Sequence, residues 1–162
     1  MVTECEAPLA RTMKDEAKKL EMIAAVLRAE STVALATVDE RNDPCVASLF
    51  YIVDGDLNLY WLSSAASMHS RNLGRNSTAS AAVYRHTENW KEICGLQMRG
   101  QVEVVSEAER RTSLLKVYCE RFDLGSVLRL AIGRSTMYQF RPEWFRYIDN
   151  SKRFGYKFEV SR

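Results

Sequence analysis

The chain has 162 residues, 46% of them hydrophobic and 27% charged, with a formal net charge of +2. That length fits one domain over residues 1–162, and the apolar fraction is enough for a packed core. The charge is too small to point to nucleic acid or an acidic membrane surface, and no apolar run approaches the roughly 20 residues that span a bilayer.

The polar N-terminus (Glu4, Glu6, Arg11, Lys14, Asp15) does not read as a signal peptide, so a cytoplasmic location is expected. Cys5, Cys45, Cys94 and Cys119 form no C-x-x-C pair, and His69 and His86 are the two histidines, so no metal site is expected. Cys94 and Cys119 fall in apolar periodic segments and read as buried, reduced thiols.

Residues 1–10 read as loose. Thr12 with Asp15 forms a capping pair that opens a helix, and Met13, Ala17, Leu20, Ala24 and Leu27 recur at helical spacing with Ile23 and Val26 beside them. Ser31 to Val38 reads as a strand and Asp39 to Pro44 as a polar turn. Cys45 to Val53 is a second strand, apolar on both faces and therefore expected to be covered on both. Asp54-Gly55 is a hairpin signal, with glycine supplying positive φ, and Leu57 to Leu62 returns.

Ser67 to Leu73 reads as a short helix ending at Gly74, and Thr78 to Arg85 as the next strand. From Ile93 to Val105 the chain alternates. Gln97, Arg99, Gln101 and Glu103 fall on one face, Leu96, Met98, Val102 and Val104 on the other. Ser106 with Glu109 is a capping box for a helix that turns Ala108, Leu115, Tyr118 and Phe122 inward. Leu124-Gly125 breaks it, and Val127 to Ile132 adds a turn or two. Thr136 to Phe140 and Trp144 to Ile148 read as two strands split by Arg141-Pro142-Glu143, and Ser151 to Arg162 as an aromatic, basic tail. Strands joined by tight turns are antiparallel, and closing the sheet removes its edges. The pattern is mainly β: a six- to seven-stranded antiparallel barrel with an N-terminal helix and helices after the fifth strand.

The chemistry concentrates in Leu62-Ser63-Ser64-Ala65-Ala66-Ser67-Met68-His69-Ser70-Arg71. Hydroxyls, a histidine and an arginine meet at a strand-to-helix junction, where unpaired backbone N–H groups and the helix dipole suit an anion such as phosphate. The plainer reading is that Ser63, Ser64 and Ser67 are turn and cap residues. Gln97, Arg99 and Gln101 read equally as a solvated strand face or as a ligand- or dimer-facing one. No Ser/His/Asp or Cys/His set for nucleophilic catalysis is present, and catalytic residues are not assigned.

The order and spacing of Pro44, the strand Val46-Ala47-Ser48-Leu49-Phe50-Tyr51, Asp54-Gly55-Asp56-Leu57, Ser63-Ser64, Ser67, Arg71-Asn72-Leu73 and the Trp90, Ile93, Gly95, Gln97, Gly100 series resembles the FMN-binding split barrels related to pyridoxamine 5'-phosphate oxidase. The resemblance runs over roughly residues 29–105, more weakly to Asn150. It implies a homodimer with FMN in a groove between the barrels. By position, Ser63, Ser64, Ser67 and His69 would surround the FMN phosphate, with Leu62, Met68 and Arg71 beside them. Ser48, Leu49, Phe50 and Tyr51 would flank the isoalloxazine ring, Gln97 would reach it from a neighbouring strand, and Tyr147, Asn150 or Arg153 would close the site from the other subunit. Two positions depart from the family: His69 replaces a lysine that many members carry, and Met68 stands where some carry a second cation. The vitamin B6 substrate residues are not matched in the tail. The implied activity is therefore a flavoprotein oxidoreductase acting on a small molecule or nicotinamide donor. The alternative is a non-catalytic dimeric module holding FMN, haem or another planar ligand.

Overall fold

A computed structural model describes residues 6–124, 132 and 135–162. In chain order the elements are α1 (Glu6–Ala29), β1 (Thr32–Val38), β2 (Pro44–Phe50), β3 (Ile52–Val53), β4 (Leu59–Ser63), α2 (Met68–Arg75), β5 (Thr78–Tyr84), β6 (Cys94–Val104), α3 (Ala108–Arg121), β7 (Thr136–Asp149) and β8 (Lys157–Ser161), with a 3-10 turn at Trp90–Glu92. The break expected at Gly125 and the helical turns expected over 127–132 fall outside the described residues, Ile132 excepted.

Every strand pairing is antiparallel, in the order β2-β1-β5-β6-β7-β4-β3, with β8 added on β7. Only Tyr51 separates β2 from β3, so the two ends of that order are halves of one bent strand, and the sheet curls back on itself as a barrel. Tyr51 pins the bend. Its ring is fully buried, its Oη donates to Leu27 O (2.7 Å) and its N–H donates to Ser31 O (3.0 Å). Inside lie Leu35, Leu59, Trp61, Phe140 and Phe145, and α1 covers one side with Ile23, Ala24 and Leu27. A second cluster under α3 joins Ile52, Tyr60, Val105, Tyr118 and Met137. Cys94 and Cys119 are buried free thiols, as their apolar settings predict.

Several local expectations fail for physical reasons. The first helix begins at Glu6, not Thr12, because Ala7, Leu9 and Ala10 favour helix and Pro8 sits in the first turn, where its missing N–H is not needed. Its early stripe does not reach the core: Met13 and Ala17 are exposed. β2 is not covered on both faces, since Val46 and Phe50 are 68% and 56% exposed. The hairpin places positive φ at Leu57 (59°), not at Gly55, because the Asp54 carboxylate organises the turn. Its Oδ1 accepts the N–H groups of Asp56 and Asn58, both at 2.9 Å.

The Ser106 box is unused; α3 is capped at Glu107 without a side-chain bond, and Ala108 faces solvent. Val104, expected inward, is exposed at the end of β6. The two late strands are one, β7, because Pro142 lies opposite Gly100 at a register shift in β6, where the missing side chain makes room for it. The aromatic, basic tail, to which the sequence assigns no element, forms β8, with Phe158 stacked on Tyr147 (4.9 Å between rings).

Candidate functional site

β4 delivers Ser63 to the rim of the barrel, where it pairs with Thr136 of β7. The Ser64–Ala66 turn reverses the chain, with Ser64 Oγ accepting the Ala66 N–H (3.2 Å). Ser67 then caps α2: its backbone is extended and its Oγ accepts the Ser70 N–H (3.3 Å). This geometry brings three of the expected side chains together. Ser63 Oγ lies 2.7 Å from His69 Nε2 and 3.2 Å from Ser67 Oγ, and Ser67 Oγ lies 3.1 Å from the same imidazole nitrogen. Ser67 also donates to Ser70 Oγ (2.8 Å), a buried hydroxyl that the sequence reading did not single out.

α2 packs on β1 and β2, and Asn72 Nδ2 donates to Thr37 Oγ1 (3.1 Å), which ties the helix to β1. The first turn of α2 carries no acidic residue that would oppose an anion. Burial lowers the His69 pKa below its ordinary value of 6.5, so the cluster presents neutral donors at pH 7. Arg71 is exposed and its guanidinium donates to Ala66 O, which holds this permanent cation against the turn. Chemically, the arrangement offers hydroxyls, an imidazole and helix-start amides to a small anion, with the Arg71 guanidinium held on the adjoining turn.

The other expected residues are distributed. Met68 is exposed and Leu62 is half-buried against the cluster under α3. Ser48 points to solvent from β2, Leu49 packs half-buried against the core, and Phe50 contacts the Phe122 ring (5.2 Å). Tyr51 is a core residue whose hydroxyl and N–H are both bonded, so neither is available to a ligand.

Gln97 lies far from Ser63 within one chain. Their register partners on β7, Arg146 and Thr136, are separated by roughly 30 Å of strand at the usual rise per residue. Asn150 Nδ2 donates to Trp90 O (2.9 Å), which makes it a loop-holding residue here. Tyr147 is buried; desolvation first, then its bond to Cys94 and its donation to Asp149 Oδ2 (2.9 Å), raise its pKa. Trp144 and Arg146, which the sequence reading passed over, share an open face with Gln97. Their spacing of two on a strand was the available signal.

Among the described residues no group of His, Cys, Asp and Glu could hold a metal ion, and no helix is long and apolar enough to cross a membrane. No curated protein sequence matches the chain. Solved structures share its fold. HutZ, the heme storage protein from Vibrio cholerae, is 20% identical over 75% of this chain and 87% of its own, with a TM-score of 0.64. A pyridoxamine 5'-phosphate oxidase candidate from Listeria innocua is 17% identical over 81% and 98%, with a TM-score of 0.66. The conserved hypothetical protein Rv2991 from Mycobacterium tuberculosis is 19% identical over 80% and 84%, with a TM-score of 0.71. The family model for pyridoxamine 5'-phosphate oxidase matches residues 20–149, most of the barrel and both strands that frame the serine cluster. The chain belongs to the pyridoxamine 5'-phosphate oxidase family.

Proposed function

We propose that this chain is a cytoplasmic flavoprotein that binds FMN as a homodimer and works as an oxidoreductase. The observation that carries the reading is the Ser63–Ser67–His69 cluster at the start of α2, a donor set whose neutral hydroxyls and helix-start amides fit a phosphate. Bound FMN would supply hydride transfer between a nicotinamide or small-molecule donor and an acceptor. Ser63, Ser67 and His69 would hold the phosphate, with Ser64 and Arg71 at its outer side. Arg71 would turn from Ala66 O to neutralise it. Backbone groups of the Ser48–Phe50 segment would orient the ring. Gln97 would come from the second copy, because roughly 30 Å of strand separates it from Ser63 within one chain.

The exposed face of β2, with Val46 and Phe50 uncovered in the single chain, supports pairing of two copies. Sedimentation at micromolar concentration should give a dimer; a monomer removes the shared site. The absorption spectrum of the purified chain, before and after incubation with FMN and removal of the excess, tests the cofactor. Flavin bands should stay with the protein and vanish in Ser67→Ala/His69→Ala, whose circular dichroism should match the unaltered chain. Protein that retains no flavin refutes the reading.

A second reading is a non-catalytic module for haem or another planar ligand, favoured by the fold shared with the heme storage protein HutZ. A Soret band on adding haem, with no flavin retained, would decide for it. Retained flavin that NADPH reduces and air reoxidises would decide for the enzyme.

A further inference from the structure

A pocket lies between the last turns of α1 and the ends of β6 and β7. β7 starts at Thr136, the register partner of Ser63, and finishes at Asp149, which lines this pocket. Tyr147 and Asp149 alternate with Arg146 along β7, so they face away from the outer wall that carries Gln97. The pocket encloses about 210 Å³. That is below the roughly 300–1,000 Å³ of sites for drug-sized ligands, and suits a molecule of about ten non-hydrogen atoms or fewer. Its apolar wall is Met22, Ala25, Val26 and Ala29 of α1.

Its charged groups have both signs and do not cancel one another. Asp149 is 5% exposed, yet none of the described residues forms an ion pair with it. Its Oδ1 accepts the Ser151 N–H (3.0 Å) and hydroxyl (2.6 Å), and its Oδ2 accepts the Tyr147 hydroxyl (2.9 Å). A carboxylate has about four lone-pair sites, so one on Oδ2 stays open. Burial pushes the Asp149 pKa up, but the bonds from Ser151 and Tyr147 outweigh it, so the group is ionised at pH 7. The neighbouring cation, Lys152, is engaged elsewhere: its Nζ donates to Met22 Sδ (3.6 Å) and lies 5.2 Å from the centre of the Tyr156 ring. Arg85 also lines the pocket, and its guanidinium forms no hydrogen bond or ion pair among the described residues. The carboxylate of Glu30, a third lining charge, is equally unpaired there. A buried charge without a counter-charge is costly, and a ligand that supplies one recovers part of that cost.

We propose that this pocket binds an aliphatic α-amino acid as its zwitterion. The ammonium bonds to the open site of Asp149 Oδ2, the carboxylate takes two N–H groups of the Arg85 guanidinium, and the side chain lies along Met22, Ala25 and Val26. An ammonium is donor-only and a carboxylate acceptor-only, and a guanidinium fork matches a carboxylate in two-point contact. The apolar wall disfavours a side chain with a further charge. No residue of the pocket belongs to the Ser63–Ser67–His69 cluster, so the site stands whether or not flavin binds.

Titration calorimetry of the full chain with L-leucine tests it, against 3-methylbutylamine, which lacks the carboxylate, and 4-methylpentanoate, which lacks the ammonium. Leucine should bind about tenfold tighter than either, the step expected of one charge-assisted bond. Arg85→Gln should bring leucine down to the level of the amine, and it should fold normally, since the side chain is exposed. Asp149→Asn should bring leucine down to the level of 4-methylpentanoate. Because Asp149 also holds Ser151 and Tyr147, a second variant stands beside it: Ala25→Leu fills the pocket from an exposed helix position and should abolish binding. Arg75→Gln, which removes a surface cation elsewhere, should leave all three affinities intact. No binding of leucine at millimolar concentration, equal affinities for the three ligands, or a leucine preference that survives Arg85→Gln overturns the proposal.

Discussion

Gly100→Ala should destabilise the chain more than any other single-methyl change in the sheet. A Cβ built at Gly100 would lie 2.0 Å from Arg141 O and 2.8 Å from both Arg141 C and Pro142 Cα. A carbon–oxygen contact is comfortable at about 3.3 Å, so β6 and β7 would have to part by about 1.3 Å. The atoms in the way are backbone, and no rotamer can relieve them. Overpacking alone costs about 1–3 kcal/mol, and each ladder hydrogen bond lost with it adds about 1 kcal/mol. The expected total is about 3–4 kcal/mol, which for a chain of this size lowers Tm by about 6–15 °C. Thermal unfolding followed by far-UV circular dichroism measures it. The stack of the Arg99 guanidinium on the Trp144 ring (4.4 Å) should suffer as well, since these two residues flank the displaced pair. A Tm within about 2 °C of the unaltered chain would refute the claim that the bare α-carbon of Gly100 is what lets Pro142 sit inside β7.

Gly74→Ala is the matched opposite: in α2 nothing lies within 4 Å of the added carbon, so the variant should be about 0.4–1 kcal/mol more stable in a denaturant titration. Asp54→Ala removes acceptors for Tyr60 Oη (2.6 Å), Asn58 Nδ2 (3.0 Å) and the two turn amides, and should cost about 2–3 kcal/mol by the same titration. Burial raises the Asp54 pKa, but the bonds from Tyr60, Asn58 and Asp56 outweigh it, so the net shift is downward. The resulting stability is present above the carboxyl's ordinary value of 3.8 and is lost as pH falls through the lower, folded value. Acid unfolding of Asp54→Asn should lack that component. Tyr51→Phe strips a 2.7 Å bond from Leu27 O at the barrel bend and should cost about 1–2 kcal/mol in the midpoint of urea unfolding.

The parts of the fold legible in the sequence are those that depend on near neighbours. β1, β5 and the first part of β6 alternate in the text because one face is packed, and the Ser63–Arg71 junction is local enough to be read whole. The rest depends on residues far away in the chain. Pro142 reads as a strand breaker until Gly100 is placed opposite it. Phe50 reads as core until β2 is seen at the outer wall, where its ring meets Phe122 and stays 56% exposed. β8 was legible and was missed: Tyr156, Phe158 and Val160 alternate, and they pack on the barrel through Tyr147. The stack of Arg99 on Trp144 could not be read at all, because it depends on a β6–β7 register that no local pattern announces.

The candidate anion site at the start of α2 includes a titrating side chain, so pH tests whether that side chain touches the anion. At the α2 site the titrating donor is His69, whose pKa burial holds below 6.5. A base with a lowered folded pKa makes the ligand-free protein most stable above the ordinary value, and that contribution is lost as pH falls through the folded value. An anion bound at His69 opposes the loss, because it prefers the imidazolium. Sulfate, which keeps its two charges throughout, should therefore bind the α2 site several-fold more tightly at about pH 6 than at about pH 8. His69→Gln should flatten that curve. A sulfate affinity that does not change with pH in the unaltered chain would remove His69 from the anion's contacts and leave Ser63 and Ser67 as the turn and cap residues of the plainer reading.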